Sequence, residues 1–241
     1  MESNHRTYNF EASFGRLDEI LNQADLSYEE VHALPDRNQL TFSNGFYAYC
    51  SALFVDIRDS SELPAKYRRP SLARLYRAYI SELVAAMNRD PNCKEINIVG
   101  DCVWSVVNTP KKPDIDYVFS TAAMCNSLIK TLNYKLKKRG LDEIRIGIGL
   151  DYGRALMIKA GSSGSGINDV VYMGDVVNRA AKLASFGSAG LFASPLMVGD
   201  VFRQNLNEHN RGLLTWSGPR DCWEGNVINS RMDDWHNENC Q

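Results

Sequence analysis

Clustered cysteines and histidines are missing from these 241 residues. The six cysteines (Cys50, Cys93, Cys102, Cys125, Cys222 and Cys240) form no C-x-x-C pair, and the histidines stand singly at positions 5, 32, 209 and 236. A zinc site or disulfide framework is therefore not expected, and free thiols point to the cytoplasm. No run reaches the roughly 20 apolar residues of a membrane span. The polar opening MESNHRTYNFEASF lacks the apolar stretch of a secretory signal, so no membrane partner is expected. Neither sign of charge is in excess, with 27 Lys and Arg against 29 Asp and Glu, which argues against nucleic acid as a partner. GSSGSG at 161–166 lacks the G-K-[ST] ending of a phosphate loop and reads as a flexible surface loop.

What is present suffices for a packed core: 44% of residues are hydrophobic, and the length suits one large domain or one domain with an arm. Residues 1–44 read as a helical N-terminal arm. Phe14, Leu17, Ile20 and Leu21 recur at helical spacing within 13–33, and a second short helix is expected from Leu26 to Val31, after Asp25. The domain proper is expected over 45–230, with a tail at 231–241. Its elements run as a strand (46–56), a helix (71–88), a hairpin in EINIVGDCVWSVV with Gly100-Asp101 at its tip, and a long helix (114–139). EIRIGIGLDYGRALMIKAG reads as two strands turning near Asp151–Gly153. The strand DVVYM and the helix GDVVNRAAKLASFG follow, then GLFAS and two apolar patches near 213–217 and 222–228. This β-α-β-β-α-β order is the split-βαβ, ferredoxin-like pattern. It predicts an α+β fold, an antiparallel-rich sheet with helices on one face.

One carboxylate sits oddly, inside the apolar strand ALFVDIRDSS. In a ferredoxin-like sheet that strand neighbours the following hairpin, which brings Asp56 near Asp101. Two adjacent carboxylates repel unless a cation lies between them. Oxygen-ligand metal ions held in this way, bridging the phosphates of a nucleotide, describe two-metal phosphoryl chemistry. The turn through Asp59, Ser60 and Ser61 would then expose backbone N–H groups at a helix start, where anions bind.

FVDIRDSS, INIVGDCVWSVV, RIGIGLDYG and YMGDVVNRAAKLAS resemble, in order, the signatures of class III nucleotidyl cyclase catalytic domains over about residues 46 to 200. The resemblance implies a homodimer whose active sites are built from both chains. It implies two divalent metal ions, Mn²⁺ or Mg²⁺, held by Asp56, Asp101 and the backbone carbonyl of Ile57. Asn178 stands where the family orients the ribose. Lys182 stands where the family has an arginine at the transition-state phosphate; the charge remains but the planar fork is lost, so reduced precision is expected. The hairpin tip IVGDCVW is not the G-G-[DE]-E-F of diguanylate cyclases.

Adenylate cyclases of this family read adenine with a lysine and with an acid or threonine where this chain has Asn97 and Val171. The Asn97 amide matches the O4/N3–H edge of uracil and, flipped, the N3/N4–H₂ edge of cytosine. LTFSNGFYAYCSALFVDIRDSS resembles the pyrimidine cyclases of bacterial Pycsar antiphage systems. That resemblance favours UTP over CTP as substrate and implies a cyclic nucleotide read by a separate effector. Adenylate or guanylate cyclase activity and a catalytically silent nucleotide-binding dimer are the alternatives. Tyr47, Tyr49 and Phe54 are candidates to narrow the base pocket, or else core aromatics. Arg58, Arg154 and Lys159 are candidate phosphate ligands by charge alone.

Overall fold

The computed structural model describes residues 3–23, 28–190 and 192–240. Helix α1 (Phe10–Leu21) opens on the side chain of Asn9, which accepts from the Ala12 N–H and so satisfies an N–H that the first turn leaves without a partner. A short strand β1 (Tyr28–Glu30) pairs in parallel with β2 (Gly45–Ile57). The expected helix from Leu26 to Val31 is thus corrected to a strand over its described part; positions 24–27, Asp25 and Leu26 among them, lie outside the described residues. A single 3-10 turn (Ser60–Glu62) and α2 (Leu63–Lys66) lead to α3 (Arg69–Asn88), which has Pro70 in its first turn. The hairpin is β3 (Cys93–Val99) and β4 (Cys102–Asn108), turning on Gly100 at φ 63°, where glycine is favoured. Helix α4 (Lys112–Lys137) starts with Pro113, and the Asp114 carboxylate accepts the Lys111 N–H at 3.0 Å.

The next stretch is one 16-residue strand, β5 (Ile146–Gly161), not two strands turning near Asp151–Gly153. It pairs with β2 without a break from Ile57↔Ile146 to Gly45↔Ile158. Gly153 allows the approach of Val176, whose Cβ would lie 3.3 Å from an added methyl. Strand β6 (Asn168–Met173), helix α5 (Asp175–Phe186), β7 (Leu196–Val198), α6 (Asp200–Asn205), α7 (Glu208–Gly212), β8 (Thr215–Ser217), β9 (Cys222–Gly225) and α8 (Ser230–Asn239) complete the chain. Helix α8 occupies the expected tail and is tied to α4 by a Lys130–Asp233 ion pair.

The sheet runs β3-β4-β2-β5-β7-β9-β8, with β1 added to β2 and β6 to β5. Its first four strands, with α3 and α4, make the split-βαβ unit. Side chains alternate across a pleated strand, and here both faces are covered. Leu53, Val55 and Ile57 of β2 pack with Tyr79 and Leu83 of α3 and Phe119 of α4. Ala48, Cys50, Ala52 and Phe54 face the other way, toward Val176, Ala180 and Ala184 of α5. Helices on one face was therefore too simple. Gly147 and Gly149 let α5 lie against β5, since a methyl at either would come 2.0 Å from the Ala184 or Ala180 carbonyl oxygen.

Candidate active site

Asp56 stands one residue before the end of β2, half-buried, opposite Gly147 of β5. Strand β4 runs along the other edge of β2, with Val55 opposite Val103, and this brings the hairpin tip and Asp101 alongside. The two carboxyl groups are close enough for the charge of one to act on the other. Burial, then the charge of Asp101, pushes the Asp56 carboxyl up to about 6, while the Arg58 charge and the Ile57 N–H pull it down. Asp101 Oδ2 is buried and has no hydrogen-bond partner.

An unpartnered carboxylate oxygen beside a second, raised carboxyl is the donor set a hard divalent cation takes up. Among the described residues no three His, Cys, Asp or Glu side chains converge as metal ligands. Asp56 and Asp101 therefore fit a divalent ion as two oxygen donors, with the neighbouring Ile57 carbonyl and the phosphates of a substrate completing its shell.

Beyond Ile57 the chain turns at Asp59 (φ 56°), whose carboxylate pairs with Arg145 at 2.8 Å. Ser60 and Ser61 open a single 3-10 turn that leads into α2, and its leading N–H groups have no intrahelical acceptor. The Arg58 guanidinium donates to the carbonyls of Ala184, Ser185 and Gly187 and so closes the C-terminal end of α5. Arg154 pairs with Glu30 and lies over the Tyr47 ring, and Lys159 lies over the Phe42 ring.

On the face of β2 that carries Asp56, Asn97 of β3 stands opposite Trp104 of β4, and Trp104 stands opposite Phe54 of β2. The Phe54 and Trp104 rings stack with centroids 4.9 Å apart and planes within 4°. Trp104 was not anticipated, although the alternation in CVWSVV turns it to the same face as Cys102 and Val106. Tyr47 and Tyr49, by the same alternation, project from the opposite face, where Tyr49 stacks on Tyr152. Val171 alternates with Tyr172 of β6. Since Tyr172 is buried on the Phe54 face, Val171 points away from Asn97.

Asn178 and Lys182 lie one turn apart on the exposed side of α5. They line a cavity of about 610 Å³ with Asp175, Arg179, Arg220 and Asp221. Neither Asp56 nor Asp101 lines it. The structure thus brings Asp56 and Asp101 together beside Ile57, puts Phe54 and Asn97 on the sheet face that carries Asp56, and places Asn178 and Lys182 on a cavity that neither carboxylate lines.

Residues 44–214 match the adenylate and guanylate cyclase catalytic domain family. The chain belongs to that family. It is 50% identical over 191 residues to a uridylate cyclase of Gulbenkiania mobilis, covering 76% of this chain and 73% of that protein. A uridylate cyclase of Treponema porcinum is 37% identical over 235 residues, covering 96% of this chain and 82% of that protein. The fold matches the crystal structure of the adenylyl cyclase CyaB from P. aeruginosa with a TM-score of 0.61 at 20% identity, over 71% of this chain and 85% of that one. Among the described residues of this cyclase-family chain, no helix is long and apolar enough to cross a membrane.

Proposed function

We propose that this chain is a uridylate cyclase that converts UTP to 3′,5′-cyclic UMP and pyrophosphate. The observation that carries the reading is the Asp56–Asp101 pair with its unpartnered oxygen, in a chain 50% identical to a uridylate cyclase. The ribose 3′-oxygen forms a bond to the α-phosphorus, the bond from that phosphorus to the β-phosphate oxygen breaks, and the hydroxyl proton leaves to solvent. Two divalent ions, Mn²⁺ or Mg²⁺, bound at Asp56, Asp101 and the Ile57 carbonyl, would supply a more acidic hydroxyl and neutralise phosphate charge. Asn178 orients the ribose, and Lys182 places its ammonium against the charge developing on the phosphate. The leading N–H groups at Ser60 and Ser61, next to Asp59, receive the triphosphate, and Arg58 fixes the neighbouring end of α5. Asn97 reads the base over the Phe54–Trp104 stack, while Val171, which points away from Asn97, is given no part in it.

Asn178 and Lys182 line a cavity that contains neither carboxylate. That separation supports a homodimer in which one protomer supplies Asp56 and Asp101 and its partner supplies Asn178 and Lys182. The antiphage role and a separate effector that reads the product rest on the resemblance to the Pycsar enzymes, and a cytoplasmic setting rests on the free thiols.

The test is to incubate the purified protein with each of the four labelled triphosphates and Mn²⁺. Cyclic UMP is the expected main product; predominant cyclic AMP, GMP or CMP overturns the assignment. Loss of all product in Asp56→Asn and Asp101→Asn ties the activity to this site.

A further inference from the structure

Two more buried polar atoms on the Asn97 face have no hydrogen-bond partner: Glu95 Oε2 and Tyr172 Oη. Tyr172 is 5% exposed and the Glu95 side chain 12%. A buried polar atom left unpaired costs roughly 1–3 kcal/mol. Two of them on one wall mark a place that a ligand completes. Both line a single cavity of about 370 Å³, together with Arg37, Cys93 and Met157.

The backbone around this cavity aims the two groups. A β-bulge between Cys93 and Glu95 shifts the register of β3, so that Glu95 stands opposite Val106 and Asn97 opposite Trp104. Glu95 and Asn97, two residues apart, therefore share the Phe54 face. Arg37 donates to Glu95 Oε1 at 2.9 Å and to Asp169 at 2.9 Å, so one carboxylate oxygen is held and the other is left free. Lys94 pairs with Asp36 at 3.1 Å and pins the same segment of the arm to β3. Tyr172 lies opposite Met157 on β6, and of the charges that act on its hydroxyl the Glu95 carboxylate is foremost.

We infer that Asn97, Glu95 and Tyr172 form a donor–acceptor–donor set that reads the uracil edge, with Arg37 as the positioning residue for Glu95. The inference rests on the uridylate cyclase reading and deepens it. Uracil presents acceptor, donor, acceptor along O4, N3–H and O2. The Asn97 amide N–H, the Glu95 Oε2 oxygen and the Tyr172 hydroxyl answer these in turn. Cytosine places a lone pair at N3, which would meet the Glu95 carboxylate oxygen without a proton between them. The ambiguity of the Asn97 amide between uracil and cytosine is resolved by its neighbour on the strand. A site built to hydrogen-bond one edge rejects another because its own buried groups are left unpaired.

The test compares kcat/KM for UTP and CTP in the wild type, Tyr172→Phe and Glu95→Gln, alongside thermal melts. Tyr172→Phe removes only a hydroxyl without a partner, so its Tm is expected to hold or rise, while kcat/KM for UTP falls about 10-fold. Glu95→Gln gives the centre of the set an N–H₂ that can meet cytosine N3, and the UTP-to-CTP preference is expected to fall by about 10-fold or more. If the wild type uses UTP and both variants keep its kcat/KM and UTP-to-CTP ratio within about twofold, the set does not read the base. Should Glu95→Gln fail to fold, Tyr172→Phe alone decides. A wild type that prefers ATP or GTP overturns the uridylate reading itself, a different failure visible before any variant is made.

Discussion

At Asp56, burial and the facing Asp101 raise the carboxyl to about 6, well above the ordinary value near 4. The folded, metal-free protein therefore holds this proton more tightly than the unfolded chain does. Stability gained by protonation is present on the acid side and lost as pH rises through about 6. Asp151, buried on β5 with Arg179 Nε 3.9 Å away, is also raised to about 6 by burial and contributes in the same window. Thermal melts in chelator should show Tm falling between pH 5 and pH 7. Asp56→Asn should flatten part of that slope and raise Tm at pH 7 while abolishing cyclisation. Added Mn²⁺ should raise the wild-type Tm at pH 7 and leave the variant nearly unmoved. Lys182 offers a second residue-scale comparison. Lys182→Ala is expected to lower kcat by about 100-fold or more, whereas Lys182→Arg keeps the charge and restores a planar fork, so its kcat should equal or exceed that of the wild type.

For an element, the contact of α5 with β5 is the sensitive joint. An added methyl at Gly149 would sit 2.0 Å from the Ala180 carbonyl oxygen and 2.4 Å from the Ala184 nitrogen, both backbone atoms that no rotamer change can move. Gly149→Ala should cost about 3 kcal/mol in denaturant melts, the upper end for overpacking, and should shift the helix that carries Asn178 and Lys182. Gly153→Ala meets only Val176 at 3.3 Å and should cost much less. These glycines also explain where the sequence misled. Asp151–Gly153 looks like a turn because Asp and Gly favour turns, yet here Gly153 makes room for a helix and β2 pairs straight through the position. Strand β1 was hidden for the opposite reason: its three residues are all exposed, so no alternation marks it as a strand. The β3–β4 hairpin was legible because Gly100-Asp101 lies between two apolar runs.

For the whole molecule, the decisive question is whether two chains complete one site. Asp56→Asn and Asn178→Ala should each be inactive alone. Mixed in equal amounts and allowed to exchange, they should recover about a quarter of wild-type activity, because half the dimers are mixed and each mixed dimer has one intact site. Activity that stays at zero after exchange, in a mixture shown to contain mixed dimers, would place all the groups on one chain.

The central β-α-β-β-α-β order, the approach of Asp56 to Asp101 and the family were determined by the sequence itself. They depend on local periodicity, turn chemistry and motif order, all of which are written along the chain. The tertiary structure decided what depends on residues far apart in sequence. It put α5 on the face opposite α3 and α4, separated Tyr47, Tyr49 and Val171 from the Asn97 face, and stacked Trp104 on Phe54. It also set Glu95 and Tyr172, 77 positions apart, on one cavity wall. A bulge and a sheet register made those placements, and a shift of one residue in either would turn each side chain to the other face.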